Sequence, residues 1–311
     1  MTLSAPTHAP AHAKRSRQRY LLDRSGFLAP VMMLPAVVYI VVLVAVPFFL
    51  AIAYSLSDVT VGDPSFDFVG LRNFRTALGD DTFRRALTNT VFMTVVAMAL
   101  VVVLAKILAL VLMKDFRGKW IVRLLILLPW TTPTSLATIA WLWLLDSLFS
   151  PIDWVLRELG LLDGNLYWLG NSELAMTSVI AVQTWRIVPL AAVIIMAGLS
   201  AIPDEINEAA RVDGAGFWRT LFEITIPLTL PVMAVATLFG AIVVFTDMAV
   251  VFVLTRGGPV DSTQVLASWA FFRGIQGGDL AQGAAIALFL FPVLIVFAVL
   301  ILRSARRMEV V

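Results

Sequence analysis

Residues 201–227 read AIPDEINEAARVDGAGFWRTLFEITIP, a polar stretch set between two long apolar runs. Pro203 suits the first turn of a helix, where its missing N–H is no loss, and Asp204 and Glu205 favour the positive end of the helix dipole. Glu208, Ala209 and Ala210 continue that helix as far as Gly214, which can take the left-handed turn that ends it. Phe217, Leu221 and Phe222 then give a second helical segment an apolar face before Pro227. The pattern predicts two short helices joined at a glycine and lying at a membrane surface. The small alanines there would let another protein's backbone come close.

Outward from this loop the chain is a series of stretches long enough to cross a bilayer, which takes roughly 20 residues each. Candidate spans cover about 25–57, 86–113, 121–145, 174–202, 224–255 and 280–302. The fold class expected is therefore all-α, a polytopic membrane protein of six transmembrane helices. Its organisation would be a basic tail over residues 1–24 followed by one transmembrane domain over 25–311. The tail, with Lys14, Arg15, Arg17, Arg19 and Arg24, resembles the charged start of a signal peptide. The uncharged run that follows, Ser25 to Ser57, is far longer than a cleavable apolar region of about 7–15 residues. It reads as a retained first span, bent near Pro30, Pro35 and Pro47.

Composition narrows the chemistry. Hydrophobic residues make up 60% of the chain and charged ones 14%, with mean hydropathy +0.91, far from a soluble domain. Cysteine is absent, which removes disulfides, thiol catalysis and cysteine-held metals. Both histidines, His8 and His12, lie in the tail, so no apolar span offers an imidazole ligand or proton relay. No metal site, catalytic residue or nucleic-acid partner is expected. Orientation follows from basic residues: fourteen Lys/Arg fall in the segments that share a side with the N-terminus, and seven in the others. Both termini are thus expected on the cytoplasmic side.

The 201–227 segment also carries a resemblance. Glu208-Ala209-Ala210, Asp213-Gly214-Ala215, Ile226-Pro227 and Pro231 match the EAA signature of ABC importer permeases. Ala197-Gly198-Leu199 and Ile202-Pro203 fit the carbohydrate-uptake branch. Phe68-Val69-Gly70-Leu71, Asn73-Phe74, Asn89-Thr90, Arg123, Leu128-Pro129, Leu254-Thr255 and Gly257-Gly258-Pro259 are similar to other landmarks of sugar permeases, in order along the chain. The resemblance is to the subunit related to the larger permease of maltose-type, binding-protein-dependent systems. It implies a coupling helix at Glu208, Ala209, Ala210, Asp213 and Gly214 that docks on a separate ATPase. It also implies two ATPase subunits, a second permease subunit, an extracytoplasmic solute-binding protein, and a bacterial inner-membrane location. No Gly-x4-Gly-Lys phosphate loop occurs here, so ATP and Mg would be bound by the partner and this chain would hold no cofactor.

Three charges lie within proposed spans, where each costs at least about 2.5–3.5 kcal/mol. Lys106, seven residues from a span end, is expected to snorkel to the interface. Arg186 and Asp247 are each the single charge of their spans; they would pair, line the permeation path together, or find separate polar partners. For a sugar's hydroxyls and flat apolar face, Thr131, Thr132, Thr134, Gln183, Trp185 and Thr246 are further candidates. Pro129, Pro133 and Pro189 would bend spans three and four and free backbone groups to line a cavity.

Two other classes are weighed against the importer. An ion-coupled secondary transporter would show related halves and intramembrane acids, of which Asp247 alone qualifies. A membrane-embedded enzyme would need a histidine–carboxylate, cysteine or metal-ligand cluster, and the spans contain none.

Overall fold

A computed structural model of the chain describes residues 25–308, with side chains described from Pro30 to Arg303. Apart from one isolated bridge, Ser57 to Phe68, all regular structure among the described residues is helical. The chain divides into two compact units, one ending at Leu50 and the other beginning at Ala51.

In the first unit, α1 (Ser25–Ile40) runs through Pro30 and Pro35 without a break. The expected irregularity comes later: a π-helical turn at Val41–Ala45 precedes α2 (Val46–Ser55), within which the unit boundary falls. A second π-turn, Thr220–Thr225, stands in the same relation to Pro227 as this one does to Pro47. A proline ring collides with the carbonyl four residues earlier and cannot donate an N–H. A widened turn ending two residues before it removes both conflicts, so the helix continues.

The second unit holds the remaining spans. Short α3 (Arg72–Gly79) leads to α4 (Asp81–Met113), whose 33 residues make it the longest helix described. At about 1.5 Å per residue α4 is about 50 Å long, more than a hydrocarbon core requires. Asp80 caps it by accepting the Thr82 N–H at 2.9 Å. Next come α5 (Lys119–Thr131) and α6 (Thr134–Leu144), which meet at 96° and only together are long and apolar enough to cross a membrane. Thr132 and Pro133 are extended there, as the steric demand of a proline on its predecessor requires. Pro129 and Pro189, expected to bend their spans as well, sit inside continuous helices.

Helix α7 (Pro151–Glu158) starts at Ser150, whose side chain accepts the Asp153 N–H, and α8 (Ser172–Ser200) starts at Asn171, which caps Glu173 and Leu174. The loop helix α9 (Asp204–Val212) follows, then α10 (Phe217–Arg219), which passes through the second π-turn into α11 (Ile226–Thr246). The second half of the loop is therefore no separate helix: it is the first turns of a 30-residue run, Phe217–Thr246. After a break at Asp247 and Met248 comes α12 (Ala249–Leu254). Then α13 (Leu266–Phe271) and a π-turn lead to α14 (Leu280–Leu288) and α15 (Leu290–Met308), which together supply the last apolar run, Leu280–Arg303. Among the described residues five helical runs are long and apolar enough to cross a membrane, and the bent α5–α6 pair makes six where it counts as one span.

Helix α8 is the hub, packing on α4, α5, α11 and α12. Lipid tails are as apolar as leucine, so helices in a bilayer associate through close packing of small residues. Here Ala97, Ala105 and Ala109 of α4 and Ala191 and Ala192 of α8 are buried in one cluster. Gly240 of α11 lets Met98 and Ile187 approach to about the limit of contact, and Gly198 of α8 does the same for Val232.

The closest backbone approach joins Gly283 of α14 to Gly274 of the preceding π-turn, where a Cβ on Gly283 would lie 2.4 Å from the Gly274 Cα. Gly283→Ala is expected to lower stability by about 1–3 kcal/mol, since backbone must move to make room. Gly79→Ala, which meets nothing within 4 Å, serves as the neutral control in thermal unfolding of the purified chain.

Candidate functional site

Two features gather the predicted site residues. The first is the loop between α8 and α10. Asp204 and Glu205 occupy the first turn of α9, and Gly214, at φ +71°, terminates it. The Gly214 N–H donates to the Arg211 carbonyl at 3.1 Å and the Ala215 N–H to the Ala210 carbonyl at 2.9 Å. This double closure is what a left-handed residue makes possible at a helix end. Nothing lies within 4 Å of a Cβ at Gly214, so backbone conformation rather than space selects glycine. Glu208, Ala209 and Asp213 are exposed, while Ala210 is turned inward and buried. Val212, Phe217, Trp218 and Phe222 stand out beside them, with Trp218 stacked on Phe222 at 6.1 Å. The loop thus closes on its own backbone hydrogen bonds and presents an exposed, partly apolar surface.

The second feature is a buried polar node on α8. Arg186 Nη2 lies 2.8 Å from Asp247 Oδ2 and donates to Gln183 Oε1 at 2.9 Å, and Nη1 donates to Thr134 Oγ1 at 2.9 Å. Asp247 Oδ1 accepts the Val250 N–H at 3.0 Å, in the first turn of α12. Both charged side chains are nearly sealed, 6% and 10% exposed. Of the three alternatives for Arg186 and Asp247, the structure shows the direct pair. Two charges withdrawn from water persist only when paired and hydrogen-bonded, and here each carboxylate oxygen has a donor. Arg186 Nε and Gln183 Nε2 have no protein partner in this node.

The other candidates do not join that cluster. Thr132 donates to the Leu128 carbonyl at 2.6 Å and Thr246 to the Ile242 carbonyl at 2.8 Å, and Thr131 likewise bonds back to its own helix. Trp185 packs edge-on against Trp141 of α6 at 5.5 Å. It also lines an apolar groove of 680 Å³ with residues that include Leu104, Ile107, Ile126, Pro129 and Pro189. Lys106 corrects an expectation: it does not snorkel but is 6% exposed, donating to Thr229 Oγ1 of α11 at 2.8 Å. The reason is register, since Lys106 shares the buried face of α4 with Ala105 and Ala109.

One cluster escaped sequence reasoning as a structural unit. The start of α4 clasps the 255–266 loop: Thr82 donates to Asp261, Arg85 to the Val260 carbonyl, and Asn89 to the Ser262 and Gln264 carbonyls. Thr90 Oγ1 accepts the Leu266 N–H at 2.8 Å. The available signal was the pair Asn89-Thr90 at the head of an apolar span, polar groups placed where only other backbone could satisfy them.

Two breaks in apolar helices thus flank a buried ion pair, and an exposed loop closes on Gly214. Residues 101–310 match the family described as binding-protein-dependent transport system inner membrane component, and the chain belongs to that family of importer permeases. It is 33% identical over 237 residues to a probable ABC transporter permease of Brucella suis, covering 76% of this chain and 82% of the relative. It is 30% identical over 291 residues to the trehalose/maltose transport system permease MalF of Thermococcus litoralis, covering 94% and 97%. The fold also matches a chain of a bacterial ABC transporter that imports the acidic polysaccharide alginate, with TM-score 0.76, 20% identity and coverage of 90% and 95%. Nothing in these likenesses favours an ion-coupled secondary transporter, and the family is one of permeases, not enzymes.

Removing one partner of a buried pair strands the other charge, at a cost of about 3–5 kcal/mol. Asp247→Asn or Arg186→Gln alone is expected to destabilise the folded chain by that much. The double variant should recover a substantial part of the loss in thermal unfolding. Additive losses would contradict a direct pair.

Proposed function

We propose that the chain is one permease subunit of an ATP-driven sugar importer in a bacterial inner membrane. It forms half of the translocation pathway, and the observation that carries the reading is the glycine-closed loop that exposes Glu208, Ala209, Asp213 and Gly214, with Ala210 buried behind them. An exposed helix end carrying Ala209 and Gly214, flanked by Val212 and Trp218, suits insertion into a groove on another protein. In an importer of this family that protein is an ATPase subunit, holding the ATP and Mg, and two copies would serve two permeases. The second permease would be a different chain, and a solute-binding protein would deliver substrate at the opposite end of the bundle. The balance of basic residues puts the loop and both termini in the cytoplasm.

Carbohydrate as the substrate class is supported by relatives named for trehalose and maltose, for sulfoquinovosyl glycerol and for diacetylchitobiose. A related fold is known in a complex with an alginate pentasaccharide-bound periplasmic protein. Within this chain the pathway wall would comprise Thr132, Trp185 and Thr246, the more accessible candidates, backed by Gln183, Arg186 and Asp247. Alternating access would follow from movement of the loop by the ATPase, biasing the bundle between two packings.

Gly214→Val and Glu208→Lys test the coupling role. Valine at a left-handed position is strained by about 1–2 kcal/mol, enough to distort the loop end while leaving the apolar spans untouched. Both variants are expected to reach the membrane at parental levels. Pull-down followed by mass spectrometry should recover an ATPase and a second permease with the parent chain and far less ATPase with either variant. A chain that purifies alone, with neither change mattering, would refute the importer reading.

A further inference from the structure

We propose that Arg186 is a positioning residue for transport: it fastens the half-helices α6 and α12 to α8, so that the three move as one body. This rests on the permease reading, and it assigns Arg186 a role apart from contact with sugar.

Helices α6 and α12 each begin just after a break. Before α6, Thr132 and Pro133 are extended, with ψ 135° and 126°. Before α12, Asp247 is extended, with ψ 125°. At such points the hydrogen-bond ladder that stiffens a helix is interrupted, and the following segment can swing about one or two backbone torsions. Yet Thr134, the first residue of α6, accepts from one Arg186 nitrogen, while Asp247 receives the other. Asp247 also holds the first turn of α12 through the Val250 N–H. One side chain on an unbroken helix therefore ties down the hinge end of both half-helices.

The chemistry of the tie matters as much as its place. A guanidinium presents its donors in a planar fork, so acceptors on two different helices fix an angle as well as a distance. A lysine ammonium would supply a point charge without that angular constraint. Asp247 Oδ1 and Oδ2, Thr134 Oγ1 and Gln183 Oε1 are all engaged as acceptors, whereas Arg186 Nε and Gln183 Nε2 are spare donors. The node is thus short of acceptors, and loss of either carboxylate or hydroxyl leaves a buried N–H unsatisfied. Further along α6, Trp141 meets Trp185 of α8, and α6 also packs on α12, completing a three-helix body.

The absence of native cysteine allows a direct test on the full-length chain. Leu142→Cys on α6 or Val253→Cys on α12, each paired in turn with Val193→Cys on α8, would carry spin labels, with the labelled chain in lipid nanodiscs and the distance distribution read by dipolar EPR. The parent is expected to give one narrow distribution. Arg186→Gln and Arg186→Lys should each broaden it by about twofold or more, because neither side chain can hold both acceptors at a fixed angle. Thr134→Val, which keeps volume and removes one hydrogen bond, should broaden it as well and stands in if Arg186→Gln does not fold. Parent-like widths in these variants would overturn the proposal. So would a lowered melting temperature with unchanged widths, which would make the pair a stabiliser only. The measurement needs neither ATPase nor sugar, so failure of the importer reading would show in the pull-down and not here.

Discussion

A bilayer interior cannot hydrate a charge, and the pairing of Arg186 with Asp247 answers that constraint at the centre of the molecule. Each residue is the single charge of its apolar run, and each would oppose insertion if left alone. Once α8 and the α11–α12 region are brought together, the cost falls steeply, so the register between these elements is set by one contact. The apolar surfaces offer many nearly equivalent packings; an ion pair with hydrogen bonds at 2.8–3.0 Å offers one. The wider stability question is separate, since a well-packed apolar pair in the same place could be as stable without specifying the fit.

The helix irregularities obey the same requirement that backbone polar groups be satisfied where water is absent. Pro47 and Pro227 are accommodated by π-turns and leave their helices continuous. Pro133 is not, and the chain turns through 96° beside it. The difference lies in the neighbours. Thr132 and Pro133 stand at the rim of a polar node, where Thr132 can bond back to Leu128 and Thr134 can meet Arg186. Around Pro47 the run is apolar, and at Pro227 Thr229 bonds back to the Thr225 carbonyl at 2.6 Å within its own helix; in both places the helix widens one turn and continues.

Much of this was legible beforehand, for identifiable reasons. Length and apolar continuity are enough to place spans, and Gly214 after Glu208-Ala209-Ala210 is enough to place a helix end, because both depend on local rules. The third span's bend could be anticipated from Pro133 but not separated from Pro129 and Pro189, since a proline's effect depends on who satisfies the freed carbonyl. The break at Asp247 was invisible as a break: in sequence it is one acid in an apolar run, and its capping of Val250 appears only when Arg186 holds the other oxygen. Lys106 was misjudged because distance from the span end suggested the interface, whereas the face it shares with Ala105 and Ala109 aims it at Thr229. Contacts between distant segments, such as Asn89 with Ser262 and Gln264, leave no periodic trace at all.

The loop and the node are not independent features. Helix α8 ends at Ser200 and α11 continues the run that starts at Phe217, so the projecting loop joins two neighbouring helices at one end. Midway along α8, and just past the end of α11, the two elements meet again at Arg186 and Asp247. Between these points they are held in close contact twice, by Gly198 against Val232 and by Gly240 against Ile187. A helix pair joined at the loop, tied again at Arg186 and packed through glycines between resists shear, because sliding would drive side chains into surfaces already at contact distance. Displacement of the loop must then carry the whole pair, and with it α6 and α12, whose first turns are held to α8 through Arg186. A permease built this way converts a push at one membrane face into a change at the other without bending any of its long helices.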